Sequence, residues 1–411
     1  MTEQAKARPL SGIKVIELST FVAAPACGRL MSDLGAEVIK IESFSGDAWR
    51  NYGRNMNIPT TDEENPVFDI VNSGKKSVVL NLKKRGGMDI MLKLLAGADV
   101  FLTNTRAKSL RRLGLDYETL HVRFPKLVYA TLTGFGDYGP EVDSPGFDNV
   151  AFWGKSGFLV DASIETECSY PVLAPTGVGD TVTGSALFGG VCAALLKRNR
   201  TNVGEYVTVS LYGSAIWHMG SMILRTQSRY GDKFPKKRLT SNPLVCPYKC
   251  NDGEWLMLSI LEHDRYFSTL CKIVGLDELV EDPRFKDVET MLQNRSLLIK
   301  GLEEKFKSKS ADEWKKILID NNIVCEKLPH FADIENSEQA KANNFIEEFQ
   351  FANGGSCAMP RPAIQYSDTV MPQTSRGPLL SENTAEVLEN ELGLSKKEIA
   401  ELVSDGSVTV R

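Results

Sequence analysis

The chain has no excess of positive charge, no apolar leader and only four histidines. Forty-eight Lys and Arg against fifty-three Asp and Glu leave a formal charge of -5, which provides no electrostatic footprint for nucleic acid or an anionic membrane surface. The opening MTEQAKARPLSG lacks the apolar core of a signal peptide, and no run is read as reaching the roughly 18 apolar residues that span a bilayer. The expectation is therefore cytoplasmic. His121, His218, His263 and His330 are scattered, in register with no Ser or Cys, so a hydrolytic triad has no support. Eight cysteines in 411 residues are too sparse for a disulfide framework, and Cys246 with Cys250 lacks the second pair that a zinc site needs, so no metal is expected.

What is present is the balance of an ordinary globular chain, 42% hydrophobic and 25% charged, with length for two domains. Short β-rich runs, IKVIEL (13–18), EVIKIE (37–42), SVVLNL (77–82), VFLTN (100–104) and LVYATLTGF (127–135), alternate with helical patterns such as GGMDIMLKLLAGA (86–98). That rhythm predicts an α/β fold: a Rossmann-like large domain with a parallel sheet covered by helices. A helix is expected over 181–198, followed by a strand, EYVTVSLY (205–212). On that helix Ala186, Gly190 and Ala194, and likewise Ser185, Gly189 and Ala193, recur every four residues, so one face carries almost no bulk and something should pack closely on it.

The pattern changes near residue 225. A hairpin turning at Asp252-Gly253 and amphipathic helices at 291–307 and 311–321 predict a smaller α+β domain. The expected division is 1–224 for the first part of the large domain, 225–330 for the small one and 331–411 for a returning segment. In that segment Ser381 is read as the cap of the last strong helix, SENTAEVLENEL.

Two local motifs invite chemistry. Gly134, Gly136 and Gly139 have the GxGxxG spacing of a dinucleotide loop, but Pro140 and EVDSPGF follow, so no helix opens where a pyrophosphate would need one. The better reading is a glycine loop that lets backbone approach a ligand or a neighbouring segment. In GVGD, Asp180 is placed to cap the following apolar helix, and a carboxylate there is stabilised as the anion and available as a nucleophile.

The ordered segments PLSGIKVIELSTFVAAPACGRLMSDLGAEVIKIE, GDAWR, NSGKKSVVLNL, ADVFLTNTR, LRRLGLDYETL, GFGDYGP, PGFDNV, GVGDTVTGS and NTAEVL resemble the class III CoA-transferases, the CaiB/BaiF or formyl-CoA transferase family, from Pro9 to about Leu388. Within the family the chain looks most similar to transferases acting on 2-hydroxycarboxylates such as phenyllactate or 2-hydroxyisocaproate. The resemblance implies an interlocked homodimer, CoA and acyl-CoA as substrates with no permanently bound cofactor, and Asp180 as the nucleophile that passes through anhydride and aspartyl-CoA intermediates. It also implies that Arg50, Lys75 and Arg112 meet the CoA phosphates, that Asn104, Thr105 and Leu113 line the adenine and pantetheine path, and that the loop with Ala23 and Ala24 lies against CoA.

Departures from the family pattern are informative. Thr20 and Val22 stand where formyl-CoA transferases carry His and Gln, and Phe147 stands where they carry Tyr, which implies a more apolar acyl site lined by Val22 and Phe147. Their glycine-rich lid has no counterpart in SNPLVCPY (241–248). Two alternatives are weighed: an α-methylacyl-CoA racemase, whose His base would fall at Phe147, a residue unable to accept a proton, and a non-catalytic CoA-binding protein, against which Asp180 argues.

Overall fold

The computed structural model describes residues 8–164, 170–231 and 237–411; Cys168 and the first seven residues of the polar opening lie outside them. Its first elements, in chain order, are β1 (Lys14–Leu18), α1 (Ala23–Asp33), β2 (Glu37–Glu42), α2 (Pro66–Asn72), β3 (Lys76–Leu80), α3 (Arg85–Ala96), β4 (Val100–Thr103), α4 (Ala107–Leu113), α5 (Tyr117–Arg123), β5 (Val128–Thr133), α6 (Phe158–Asp161), α7 (Val178–Thr201) and β6 (Tyr206–Ser210). The strands form one sheet in the order β3-β2-β1-β4-β5-β6, all parallel, and a short terminal strand, Val408–Thr409, adds antiparallel to β3. Central strands read as continuous apolar runs because both faces are covered: Val15, Ile16, Ile39, Val78, Phe101 and Val128 are all sealed from solvent.

The chain divides into two compact units, the first made of 1–158, 173–223 and 338–411 and the second of 159–172 and 224–337. The segment 159–172, expected in the large domain, thus groups with the second unit, and the return begins at Glu338 rather than 331. The second unit is built on a three-stranded antiparallel sheet, Val245–Lys249, Trp255–Ser259 and Cys325–Lys327, whose core gathers Tyr248, Phe267, Phe306 and Trp314. The last strong helix starts at Thr384 with Asn383, not Ser381, before it; Ser381 instead holds a left-handed φ of 63°.

The long helix α7 begins three residues earlier than the pattern suggested. At 24 residues it is long and apolar enough by composition alone to cross a membrane, which corrects the expectation that no run approaches that length. It packs on α1, β5 and β6. It comes closest to α1 at Gly184, where a Cβ would stand 2.4 Å from the Ala23 carbonyl oxygen and 3.1 Å from the Ala26 Cβ. The stripe singled out from the sequence divides: Gly190 presses on Val207 and Ala194 is buried, while Ala186, Ser185, Gly189 and Ala193 remain open. Overpacking a seam of this kind costs about 1–3 kcal/mol. Gly184→Val is therefore expected to lower the denaturant midpoint by an equivalent amount, whereas Gly189→Val leaves it unchanged in the monomer; equal midpoints for the two variants would contradict the packing described.

Candidate active site

In this strand order the crossovers reverse direction between β1 and β4, and such a switch point opens a crevice at the carboxyl ends of the two strands. The loops leaving them are tied across it. The Thr20 amide donates to Asn104 Oδ1 (3.0 Å) and Asn104 Nδ2 donates to the Thr20 carbonyl (2.7 Å). Thr103 Oγ1 and Thr105 Oγ1 both reach the Leu18 carbonyl, at 2.7 and 3.4 Å. Phe21 then adopts a φ of 64°, a left-handed conformation costly for an aromatic residue, and its amide is held by Asp47 Oδ1 at 3.0 Å. This bend delivers Val22 to the amino end of α1, which is why Val22 and Gly177 come close: a Cβ on Gly177 would lie 4.0 Å from Val22 Cγ1.

Gly177, with φ 79°, is the residue before α7, so Asp180 lies inside the first helical turn and does not cap it. That corrects the capping reading. Asp180 is half-buried, and burial followed by the charge of the Asp148 carboxylate pushes its pKa up to about 7. Placement near a helix amino end therefore does not keep it fully ionised, because desolvation and a like charge outweigh the dipole.

Asp148 was not anticipated from the sequence. It opens a seven-residue π-helical turn, Asp148–Gly154, a rare geometry that clusters at functional sites. Its Oδ2 accepts the Gly177 amide at 2.8 Å. The loop that carries it is set by the glycine motif: a Cβ on Gly134 would stand 2.8 Å from the Gly146 Cα, so the two backbones cross with no room for a side chain. The GFG motif is thus a backbone crossing, as the second of its two readings proposed. Phe147, just before Asp148, is 58% exposed, and its ring meets Phe21 edge to face at 5.2 Å, with Trp49 6.3 Å beyond Phe21. Phe152 and Trp153 are core residues, and Trp217 is exposed.

Two of the residues expected at the CoA phosphates are engaged by protein groups. Lys75 has a fully buried side chain that forms an ion pair with Glu17 Oε2 (2.8 Å) and donates to the Pro25 carbonyl (2.8 Å) and Asn72 Oδ1 (3.0 Å). Arg50 is fixed on Glu42 through Nε (2.8 Å) and Nη2 (2.6 Å) and on the Pro378 carbonyl, with its guanidinium 4.0 Å over the Phe68 ring. The Lys75 ammonium is fully engaged, whereas Arg50 keeps two of its five N–H donors; both hold the charged layer beneath the α1 loop. Ala23 and Ala24 are buried, and the Ala23 carbonyl is pressed against Gly184 of α7. Arg112 is exposed on α4, with Arg106, Lys108 and Arg111 exposed beside it, and Leu113 is half-buried against the core. A surface cavity of about 450 Å³ is lined by none of these residues and carries Glu63, Glu347 and Glu348 against Arg376, the wrong sign for CoA phosphates.

A tethered crevice, a carboxylate of raised basicity at its mouth and an apolar wall suit covalent acyl transfer. The model of CoA-transferase family III matches residues 10–384. The chain belongs to that family. Among its relatives are the (R)-2-hydroxy-4-methylpentanoate CoA-transferase of Clostridioides difficile, 36% identical with 95% of this chain and 97% of the relative covered, and the cinnamoyl-CoA:phenyllactate CoA-transferase of Clostridium sporogenes, 38% identical over 98% and 97%. A crystal structure of a CaiB/BaiF family protein from Brucella suis is similar with a TM-score of 0.77 at 28% identity, over 93% of this chain and 99% of that one.

Because Glu17 and Lys75 are sealed together, removing Lys75 leaves the buried Glu17 with Lys40 as its one remaining cation among the described residues, a loss of up to about 3–5 kcal/mol. Lys75→Met in this transferase is expected to reduce thermal stability sharply, while any folded fraction binds CoA with unchanged affinity in calorimetry. A stable variant with weakened CoA binding would restore Lys75 as a phosphate ligand.

Proposed function

We propose that this family III CoA-transferase moves CoA from an acyl-CoA donor to a 2-hydroxycarboxylate with an apolar side chain, such as 2-hydroxyisocaproate or phenyllactate, with Asp180 as covalent nucleophile. Asp180 attacks the donor thioester carbon, a C–O bond forms, the C–S bond breaks and CoA leaves as thiolate. The thiolate attacks the aspartyl carbonyl of the resulting anhydride and expels the donor carboxylate. The acceptor carboxylate displaces the thiolate to form a second anhydride, and the thiolate then takes the acceptor acyl group and frees Asp180. No step needs a proton donor or acceptor, in keeping with an apolar Phe147 where a two-base racemase requires a base. The amino end of α7 supplies partial positive charge for the oxyanions that form at Asp180.

The exposed Phe147 ring, stacked edge-on against Phe21 one residue from the Asp148 anchor, is the observation that carries the apolar acceptor. Two adjoining aromatic faces beside the nucleophile loop offer contact to a branched or aromatic side chain and nothing to a second carboxylate. For CoA we assign Arg112, with Arg106, Lys108 and Arg111 around it, to the phosphates, and the α1 loop with Asn104 and Thr105 to the remainder of the path. The reading includes an interlocked homodimer. It is supported by the stripe Ser185, Gly189 and Ala193 on α7, where a Cβ on Gly189 would meet nothing within 4 Å.

The test is transfer from acetyl-CoA or a hydroxyacyl-CoA to a panel of acids, followed by mass. Branched and aromatic 2-hydroxyacids are expected to accept CoA, and Asp180→Asn is expected to lower kcat at least about 10³-fold, as loss of a covalent nucleophile does. Transfer confined to oxalate would overturn the acceptor class, and full turnover by the Asn variant would overturn the mechanism.

A further inference from the structure

Asp148 is a buried carboxylate for which the transfer chemistry above has no use. It is 6% exposed, and one of its oxygens, Oδ1, makes no geometrically sound hydrogen bond. An anion left in this state carries a desolvation penalty, and groups of that kind persist where the surrounding structure needs them. Its surroundings are specific. Oδ2 takes the Gly177 amide at 2.8 Å. Oδ1 sits directly above the Gly179 Cα, so that a Cβ there would fall 2.2 Å from it and 2.4 Å from Phe152 Cγ. Gly177 has a left-handed φ of 79°, and Gly179 is buried. Both glycines of GVGD are therefore dictated by Asp148: the first by the turn whose amide it accepts, the second by the volume it occupies.

We propose that Asp148 is the positioning residue for the nucleophile: its carboxylate, anchored on the Gly177 amide and lying over Gly179, fixes the turn that presents Asp180 and places a second negative charge beside it. This rests on the reading of Asp180 as the nucleophile and says how that group is made reactive. A carboxylate at the start of a helix is by itself a weak nucleophile, since the helix dipole stabilises its charge. A fixed like charge opposes that stabilisation and raises the basicity of Asp180, and the repulsion is relieved when Asp180 forms its C–O bond to the thioester carbon and passes charge to the departing thiolate. The direction of both titrations agrees. Burial raises the Asp148 carboxyl against the pull of the Gly177, Gly179 and Asp180 amides, and burial with the Asp148 charge raises Asp180. Among the described residues, Asp148 is the charged side chain that raises Asp180. The loop that supplies Asp148 is in turn held by the Gly134–Gly146 crossing, which gives the glycine motif after β5 its part in the reaction.

The experiment follows acyl-enzyme formation in a single turnover with acyl-CoA across pH. In the unaltered enzyme the rate is expected to rise roughly tenfold between pH 6 and pH 8 as Asp180 ionises. Asp148→Asn keeps an oxygen for the Gly177 amide but removes the charge, so the acid limb moves down by at least about one pH unit with the plateau held within about tenfold. Asp148→Ala removes the anchor as well, and its plateau falls about 100-fold, the effect of misplacing a reacting group by about an ångström. A limb that stays in place in a folded Asn variant overturns the proposal. Should neither variant fold, carbon-13 titration of aspartate carboxyls in the unaltered enzyme and in Asp180→Asn decides: the Asp148 midpoint drops in the latter if the two carboxylates interact and is unchanged if they do not. Undiminished turnover in Asp180→Asn would instead defeat the underlying reading, which separates the two failures.

Discussion

The site depends on close approach to glycine backbone where no side chain fits. Three glycine contacts bring its parts together: Gly184 of α7 against α1, Gly134 against Gly146, and Gly179 under Asp148. Each fixes a loop or helix to within a fraction of an ångström, because the neighbouring atoms already occupy the place of a Cβ. Together they bring the α1 loop, the Phe147–Asp148 turn and the first turn of α7 to the carboxyl edge of the parallel sheet. Asp180, the proposed nucleophile, is half-buried there and faces a like charge, two conditions that an exposed helix cap would lack.

Beneath this lies a sealed ionic layer. Lys40 bridges Glu17 and Asp47 at 3.1 and 3.0 Å, Lys75 bonds Glu17, and Arg50 with Ser77 satisfies Glu42. Asp47 also holds the amide of the strained Phe21. Charges so buried contribute little net stability but fix a unique geometry, because any displaced partner leaves its mate unpaired. The strain at Phe21 is maintained by this layer, and its result is an aromatic ring turned toward Phe147.

Much of the architecture was legible in the sequence. The apolar runs placed β2 to the residue and the other five parallel strands within two residues at each end, since a strand buried on both faces has little freedom in composition. The prolines after Gly139 correctly excluded a nucleotide helix. The site was legible in part. Asp180 could be singled out as a candidate, but its environment could not, because its raised basicity comes from burial and from Asp148, thirty-two positions away in PGFDNV. That Arg50 and Lys75 pair with Glu42 and Glu17 was not legible, because a basic residue in a loop motif carries no local sign of the carboxylates that meet it. Phe21 left no signal either, since left-handed backbone is seldom betrayed by an aromatic residue. A better clue lay in GVGD itself: two glycines ahead of a helix ask what approaches them.

The central claim is that the Asp180 carboxylate becomes covalently joined to each substrate acid in turn. The most direct measurement uses an acceptor carboxylate enriched in oxygen-18, a full round of transfer, and peptide mass mapping of the recovered enzyme. The account predicts heavy oxygen in the peptide containing Asp180 and in no other, because cleavage of the second anhydride by thiolate leaves the bridging oxygen on the protein. Turnover that leaves this peptide unlabelled would contradict it.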